Sequence, residues 1–338
     1  MAKFDREMEC HQIAWRRTAA LSSGEFGLQN GRRYEWILPA RSWEDGLWPG
    51  IQSTSGNSLP AYLDKDIKRH SGSHNLKSSW ILCANLYFPF GAEPGMALLA
   101  GFLQHRVDPR IQNLDALELE YAEPLHSALH PSKLLGETAG TRGAGQTSPD
   151  VAFRVSGNGY RGLVLTEVKF TEHSFYGCSA RRRKDGSDPL RRPGNPDPER
   201  CNSLGNVLAN LESQCHQVRW GRKYWEHLGS ITDKNALSDC CPAAHTGYQL
   251  LRQQALAEGI AASGEYDFVL SCAAIDDRND ILKKKLTSLD WKRFARNVPF
   301  TVFTHQCWVE WVRTHGDLGQ WGDWLEYVDT RYGFRKLS

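Results

Sequence analysis

Three residues in the middle of the chain are placed to do chemistry together. They are Asp150, Glu167 and Lys169, within TSPDVAFRVSGNGYRGLVLTEVKFTE, residues 147–172. The stretch Gly162 to Val168 is apolar and runs into Glu167-Val168-Lys169. Side chains two apart on a strand share a face, so Glu167 and Lys169 project together while Val168 turns into the core. A hairpin partner beginning at Asp150 brings a second carboxylate beside Glu167. Two carboxylates and a nearby backbone carbonyl suit an oxygen-ligated Mg²⁺ that keeps several waters, with Mn²⁺ as alternative. A lysine one pleat further on can help deprotonate an attacking water or offset charge on a phosphorane-like transition state. Metal-assisted phosphodiester hydrolysis accounts for all three residues at once. The competing reading is an ordinary strand end with a solvated Glu/Lys pair.

The elements that must hold these residues are legible on both sides. Residues 1–76 read as an irregular leader, with a helix near Met8 to Ala20 and loops rich in Gly, Ser, Pro and Trp. From Lys77 to Val107 the pattern turns helical. SSWILCANLYFPF carries a serine cap and an apolar stripe, and EPGMALLAGFLQHRV has acid and proline in its first turn. Ala116 to Tyr121 alternates as a half-exposed strand. A Gly/Thr-rich loop, GETAGTRGAGQTS, leads into a strand from Asp150 to Val155, GNG makes a turn, and RGLVLTEVKF is a strongly apolar strand. Residues 173–245 change character and read as an insertion with a helix at about Ser203 to His227. Then come a helix, HTGYQLLRQQALAEGIAA, and an apolar strand, YDFVLSCAAI. The tail from Leu286 onward reads as helical, with Trp308 and Trp311, and Trp321 and Trp324, at i, i+3 spacing.

This order and spacing resembles the PD-(D/E)xK nuclease superfamily. Here the PD is Pro149-Asp150 and the ExK is Glu167-Val168-Lys169. The resemblance covers roughly residues 79–275 and is to a bacterial branch, with LGE, TSPD, EVKFTE and YQLLRQQ as its landmarks. It implies an α/β, restriction-endonuclease-like fold: a mixed central sheet in an αβββαβ core, flanked by helices. It implies a metal-dependent nuclease acting on DNA, with RNA as alternative, in a restriction or phage-defence role. Cleavage of both strands would imply two active sites and hence a homodimer. The superfamily often adds an upstream acid. Glu120 is assigned to it here, Glu118 shares its parity, and Glu137 in LGE is the alternative. Glu172 either supports the site or is the exposed end of the strand. The helix with Tyr248, Gln249 and Arg252 resembles one that several members aim at the scissile phosphate. Leu250, Leu251 and Leu256 would face the sheet, leaving Gln249 and Arg252, at i, i+3, on another face. Gln249 joins the catalytic set and Arg252 the nucleic-acid contacts.

Two features belong to the insertion. Cys178, Cys201, Cys215 and Cys240 or Cys241 fall within it, Cys241 being the better ligand because Pro242 fixes the turn behind it. Four thiolates can hold a tetrahedral Zn²⁺ or, as alternative, an iron–sulfur cluster. His216 and His245 are substitute donors, and idle thiols are the competing reading. Arg181, Arg182, Arg183, Lys184, Arg191 and Arg192 form a cationic run soon after the catalytic strand, suited to tracking phosphates without reading sequence.

Composition sets the frame. A hydrophobic fraction of 40 % in 338 residues supplies a sizeable core, and a net charge of +2 selects no partner class. No apolar run approaches the ~20 residues of a membrane span. MAKFDREMECHQIAWRR lacks the apolar stretch of a secretory signal. Nine cysteines, odd in number and irregularly spaced, fit a reducing cytoplasm better than a disulfide framework. The expected organisation is a leader over 1–76, a nuclease core over 77–172 and 246–285, a Cys-rich basic insertion over 173–245, and a helical extension over 286–338. The alternatives are a catalytically silent nucleic-acid-binding module of the same fold, or a metal-stabilised interaction protein.

Overall fold

A computed structural model describes residues 3–19, 21, 24–52, 59–63, 67–181, 186, 192–229, 237, 239–289 and 294–335. A small hairpin joins β1 (Gly27–Gln29) to β2 (Arg32–Tyr34). The central sheet contains β3 (Asn113–Leu119), β4 (Val151–Gly157), β5 (Tyr160–Lys169), β6 (Phe268–Ile275) and β7 (Phe300–Thr304), in that spatial order. The first three form an antiparallel meander. β6 lies parallel to β5, and β7 parallel to β6. This is the mixed sheet flanked by helices that was expected.

The sheet is covered on both faces, which is why β5 and β6 read as nearly unbroken apolar runs. Alternate side chains sort cleanly between two cores. Val151, Phe153, Val155, Val164, Val168, Leu270, Cys272 and Ala274 enter one. Ala152, Leu163, Leu165, Val269, Ala273 and Ile275 enter the other. The first core is filled by the helices Ser79–Tyr87, Gly95–Arg106, His305–His315 and Leu318–Tyr332. Trp308, Trp321 and Trp324 are its anchors, and Trp321 stacks on Phe90 with ring centroids 4.1 Å apart. The second core lies under the helix Tyr248–Ser263 and part of the insertion. The apolar pair Ser79–Phe90 and Gly95–Arg106 is bent by 112°, and no single helix among the described residues is long and apolar enough to cross a membrane.

Three elements differ from expectation. The first helix runs over Lys3–Thr18, starting a turn earlier, because Phe4 and Met8 bury against the core and Gln12 donates to the Arg331 carbonyl at 2.7 Å. The helix expected over Ser203 to His227 is four short helices, Leu204–Ala209, Leu211–Gln214, His216–Arg219 and Tyr224–His227. Asn210 interrupts it by accepting from the Ser213 N–H, the local side-chain bonding that favours caps over helix interiors. The C-terminal stretch is not wholly helical, since Phe300–Thr304 adds the edge strand β7.

Glu258 holds the entry to that strand. Its carboxylate accepts the backbone N–H groups of Arg296 at 2.6 Å, Asn297 at 2.9 Å and Val298 at 3.1 Å. Glu258→Ala strands three donors together. It is expected to cost about 2–4 kcal/mol, read as a lower urea midpoint, with Glu258→Gln recovering part of the loss. An unchanged midpoint would mean that the turn is held by other contacts.

Candidate active site

The end of β5 carries the chemistry. Glu167 and Lys169 follow Leu163 and Leu165 on the sheet face beneath the Tyr248–Ser263 helix, and Val168 enters the opposite core. Both charged side chains are buried, Glu167 4 % and Lys169 3 % exposed. Lys169 Nζ donates to Glu167 Oε1 at 2.6 Å and to the Val168 carbonyl at 3.3 Å. The β4–β5 ladder pairs Val151 with Thr166, so one further step sets Asp150 opposite Glu167. Asp150 Oδ2 accepts the Val168 N–H at 2.7 Å, which fixes the carboxylate at the strand end.

Glu120 reaches the same place by a different device. β3 ends at Leu119, and Glu120 takes a left-handed φ of +50°. Its N–H donates to the Asp150 carbonyl at 2.9 Å, and the Tyr121 N–H donates to the Pro149 carbonyl at 3.0 Å. Its side chain is buried and hydrogen-bonded by Trp80. Gly143, at φ +79°, lies so close that a Cβ there would stand 3.2 Å from the Glu120 carboxyl carbon. Glu118, of the same parity in sequence, is taken by Arg154, whose Nε donates to Glu118 Oε1 at 2.5 Å. Glu137 is no upstream acid either. Its carboxylate accepts from the Thr147 N–H and Thr147 Oγ1, both at 2.5 Å, from the Tyr224 hydroxyl at 2.7 Å and from Arg252 Nε at 3.2 Å. It therefore clamps the loop that enters Asp150. Glu172 Oε2 accepts the Phe170 N–H at 2.8 Å and lines the same cleft.

Burial sets the electrostatics. It pushes the Asp150 carboxyl up to about 8, the charge of Glu167 adds to the rise, and Lys169 and the Val168 N–H oppose it. Glu120 is held well above the carboxylate range, first by burial and then by Asp150 and Glu167. Burial alone would lower Lys169, but Glu167, Asp150 and Glu172 outweigh it and hold the ammonium above its ordinary value. Three carboxyl groups thus face one ammonium. The donor set suits a hard divalent cation, and Gln249 Oε1, buried on the same cleft, finds no hydrogen-bond partner. As the side chains stand, no three His, Cys, Asp or Glu groups among the described residues meet as a metal ion requires. Lys169 occupies the Glu167 oxygen that an ion would take.

The cleft of about 390 Å³ is also lined by residues that sequence reasoning missed. His70 comes from the leader. Its Nδ1 accepts the Gly72 N–H at 3.1 Å, and burial lowers its pKa despite the nearby charge of Glu172. Tyr176 is 56 % exposed and sits at φ +55°. Among the described residues, the other non-glycine residues at positive φ are Asn30, Asn158 and Glu120. Asparagine tolerates that conformation in turns. The costly cases, Glu120 and Tyr176, both fall on the cleft, where backbone strain tends to be stored. No spacing in the sequence signals either.

The remaining candidates scatter. Gln249 and Arg252 both line the cleft, with Arg252 Nε also donating to Thr147 Oγ1 at 2.9 Å. Arg181 is not part of a free cationic run. It is 6 % exposed, and its guanidinium donates to the Pro198 carbonyl at 3.2 Å and to Asn202 Oδ1 at 3.3 Å, as a strut of the insertion. Arg182, Arg183, Lys184 and Arg191 lie outside the described residues. Arg192 stacks its guanidinium 4.3 Å from the Trp220 ring centroid. Cys178, Cys201, Cys215 and Cys241 line one small pocket on the second core, while Cys240 is exposed.

The raised Asp150 carboxyl has a sign. Between its ordinary 3.8 and about 8, the folded chain binds more protons than the unfolded chain, so Asp150 lowers stability as pH rises through that window. A divalent cation takes the proton's place. Saturating Mg²⁺ is expected to raise the Tm by about 2–4 °C at pH 8.5 and by much less at pH 5.5. Asp150→Asn should remove the Mg²⁺ response and melt above the metal-free wild type at pH 8.5. An equal response at both pH values would remove the carboxylates from the ion's site.

Comparison with curated proteins and with solved structures gives no match. The comparison with protein families does. The model of the family described as Restriction Endonuclease associating with ARP matches residues 9–333, which takes in most of the leader, every strand of the central sheet and the C-terminal helices. With Asp150, Glu167 and Lys169 at the end of a restriction-endonuclease-like sheet, this chain belongs to that family of restriction endonucleases.

Proposed function

We propose that the chain is a metal-dependent endonuclease that hydrolyses phosphodiester bonds in DNA. The observation that carries this reading is the meeting of Glu120, Asp150, Glu167 and Lys169 in one cleft, from three strand ends. Asp150 and Glu167, with Glu120 beside them, are the residues that would hold Mg²⁺ or Mn²⁺. When bound, such an ion polarises a phosphoryl oxygen and acidifies water. Lys169, held above its ordinary value by the carboxylates around it, can offset charge on the phosphate. Gln249 offers an unpaired amide oxygen that can accept a hydrogen bond from the attacking water and orient it. His70, whose Nδ1 accepts from backbone, carries its proton on Nε2 and can donate to a phosphate oxygen. Tyr176 presents an exposed ring on which a base can stack.

The family's description supports a restriction role and a protein partner, ARP; phage defence is part of the proposal, and cutting two strands would call for a homodimer. The Arg182, Arg183 and Lys184 run has the charge for phosphate contact.

Lys169→Ala is expected to lower the cleavage rate of duplex DNA by about 10²–10³-fold. Asp150→Ala and Glu167→Ala should abolish cleavage, while DNA binding measured in EDTA stays within a few-fold of wild type. Wild-type turnover by Lys169→Ala would overturn the assignment. Metal-independent binding without any cleavage by the wild type would make the chain a silent binding module. Changing Arg182, Arg183 and Lys184 to Ala should weaken binding to two unrelated duplexes alike. The slope of log K against log salt should flatten by at most ~0.9 for each phosphate no longer neutralised. An unchanged slope would remove this run from the interface.

A further inference from the structure

The insertion holds a second cluster that the cleft does not use. Cys178, Cys201, Cys215 and Cys241 come from four separate turns of chain and line the same pocket. Each of the six pairs among them interacts electrostatically. All four are free thiols. The pocket holds about 20 Å³. That is room for one small occupant, since a single water needs roughly 10–15 Å³.

Burial raises the Cys178, Cys201 and Cys241 thiols above their ordinary value, and hydrogen bonds oppose that rise at Cys178 and Cys241. Cys178 Sγ accepts from Gln217 Nε2 at 3.3 Å, and the backbone N–H groups of Ala180 and Arg181 point at it. The Ala243 N–H points at the Cys241 sulfur in the same way, two residues on. Hydrogen bonds of this kind orient and tune metal-bound sulfur. Otherwise the sulfurs lie among apolar groups such as Val207, Trp225 and Leu251, where four close thiols gain nothing by being polar. His216 lines the pocket too. Its Nε2 faces the Pro193 carbonyl at 3.0 Å, and its buried Nδ1 finds no partner.

We propose that Cys178, Cys201, Cys215 and Cys241 form a structural Zn²⁺ site. No three of these groups stand at metal-holding geometry as placed, so the sulfurs must draw in toward the ion, to about 2.3 Å each. The site ties the start of the insertion to its end. Cys178 follows the catalytic strand, and Cys241 precedes the helix that carries Gln249. The same two segments already pair through Cys178 N–H to the Ala243 carbonyl at 2.7 Å and Gln249 N–H to the Phe175 carbonyl at 3.0 Å. A closed four-sulfur site has no open position for substrate, so its part is to brace the insertion, whose described helices are only four to six residues long.

The test uses the full chain, purified without chelator, in wild type and in Lys169→Ala, so that it is independent of nuclease activity. Metal analysis is expected to find about one Zn²⁺ per chain in both. A mercurial reagent should release it from the wild type, and four further thiols should then react with Ellman's reagent. Cys178→Ser and Cys241→Ser should each lower metal content and Tm, whereas His216→Gln should keep both. A variant too unstable to purify leaves the release experiment on wild type to decide. Zinc-free protein whose Tm ignores added Zn²⁺ would overturn the proposal. So would iron with a visible absorption band. Loss of zinc in His216→Gln but not in Cys215→Ser would overturn this donor set.

Discussion

The structure turns on a local excess of negative charge that burial makes expensive. Glu120, Asp150 and Glu167 are gathered on the wall of one cleft, with Lys169 set among them and bonded to Glu167. A fold selected for stability alone would not gather three acids at a strand end. The cost is met by the surrounding sheet, whose central strands β5 and β6 are buried on both faces. A rigid scaffold can hold a constellation that would otherwise relax by turning its side chains outward.

Two layers of contact keep the acids in register. Asp150 is fixed from its own hairpin by the Val168 N–H, a bond that exists only when β4 and β5 pair as they do. The loop before Asp150 is fixed from outside by Glu137, which gathers Thr147, Tyr224 and Arg252. Through Tyr224 and Arg252 the insertion and the Gln249 helix are joined to that loop. Gln253, one turn beyond Gln249, pins the helix to the sheet by donating to the Cys272 carbonyl at 2.8 Å and the Leu165 carbonyl at 3.2 Å. The insertion is thus tied into the walls of the cleft.

The opposite face explains the tryptophans. Trp308 Nε1 donates to the Leu86 carbonyl and Trp324 Nε1 to the Asn85 carbonyl, so the C-terminal helices clip the last turn of the Ser79–Tyr87 helix while their rings fill the core. The leader helix closes the same layer, with Phe4 edge-on to Phe170 just past Lys169. This leaves the sheet's other face to the chemistry.

The chain's order of residues was enough to place Asp150, Glu167 and Lys169 together, because strand periodicity and a short hairpin are local properties. The apolar runs of β5 and β6 likewise announced strands, and the structure buries them on both faces. Glu120 was legible as a candidate but not separable from Glu118, since parity treats them alike. Only the left-handed turn at Glu120, held by the Asp150 and Pro149 carbonyls, sends one into the cleft and leaves the other to Arg154. Glu137 looked like an acid for the site, and its role as a clamp depends on partners up to 115 residues away. Arg181 lay in a cationic run, yet contacts across the insertion bury it. β7 is short and only partly buried, so its pattern resembled its helical neighbours until pairing with β6 defined it. Residue types and near spacing decide what chemistry is available. Long-range packing decides which of several equivalent side chains performs it, because desolvation and partner choice belong to the folded chain alone.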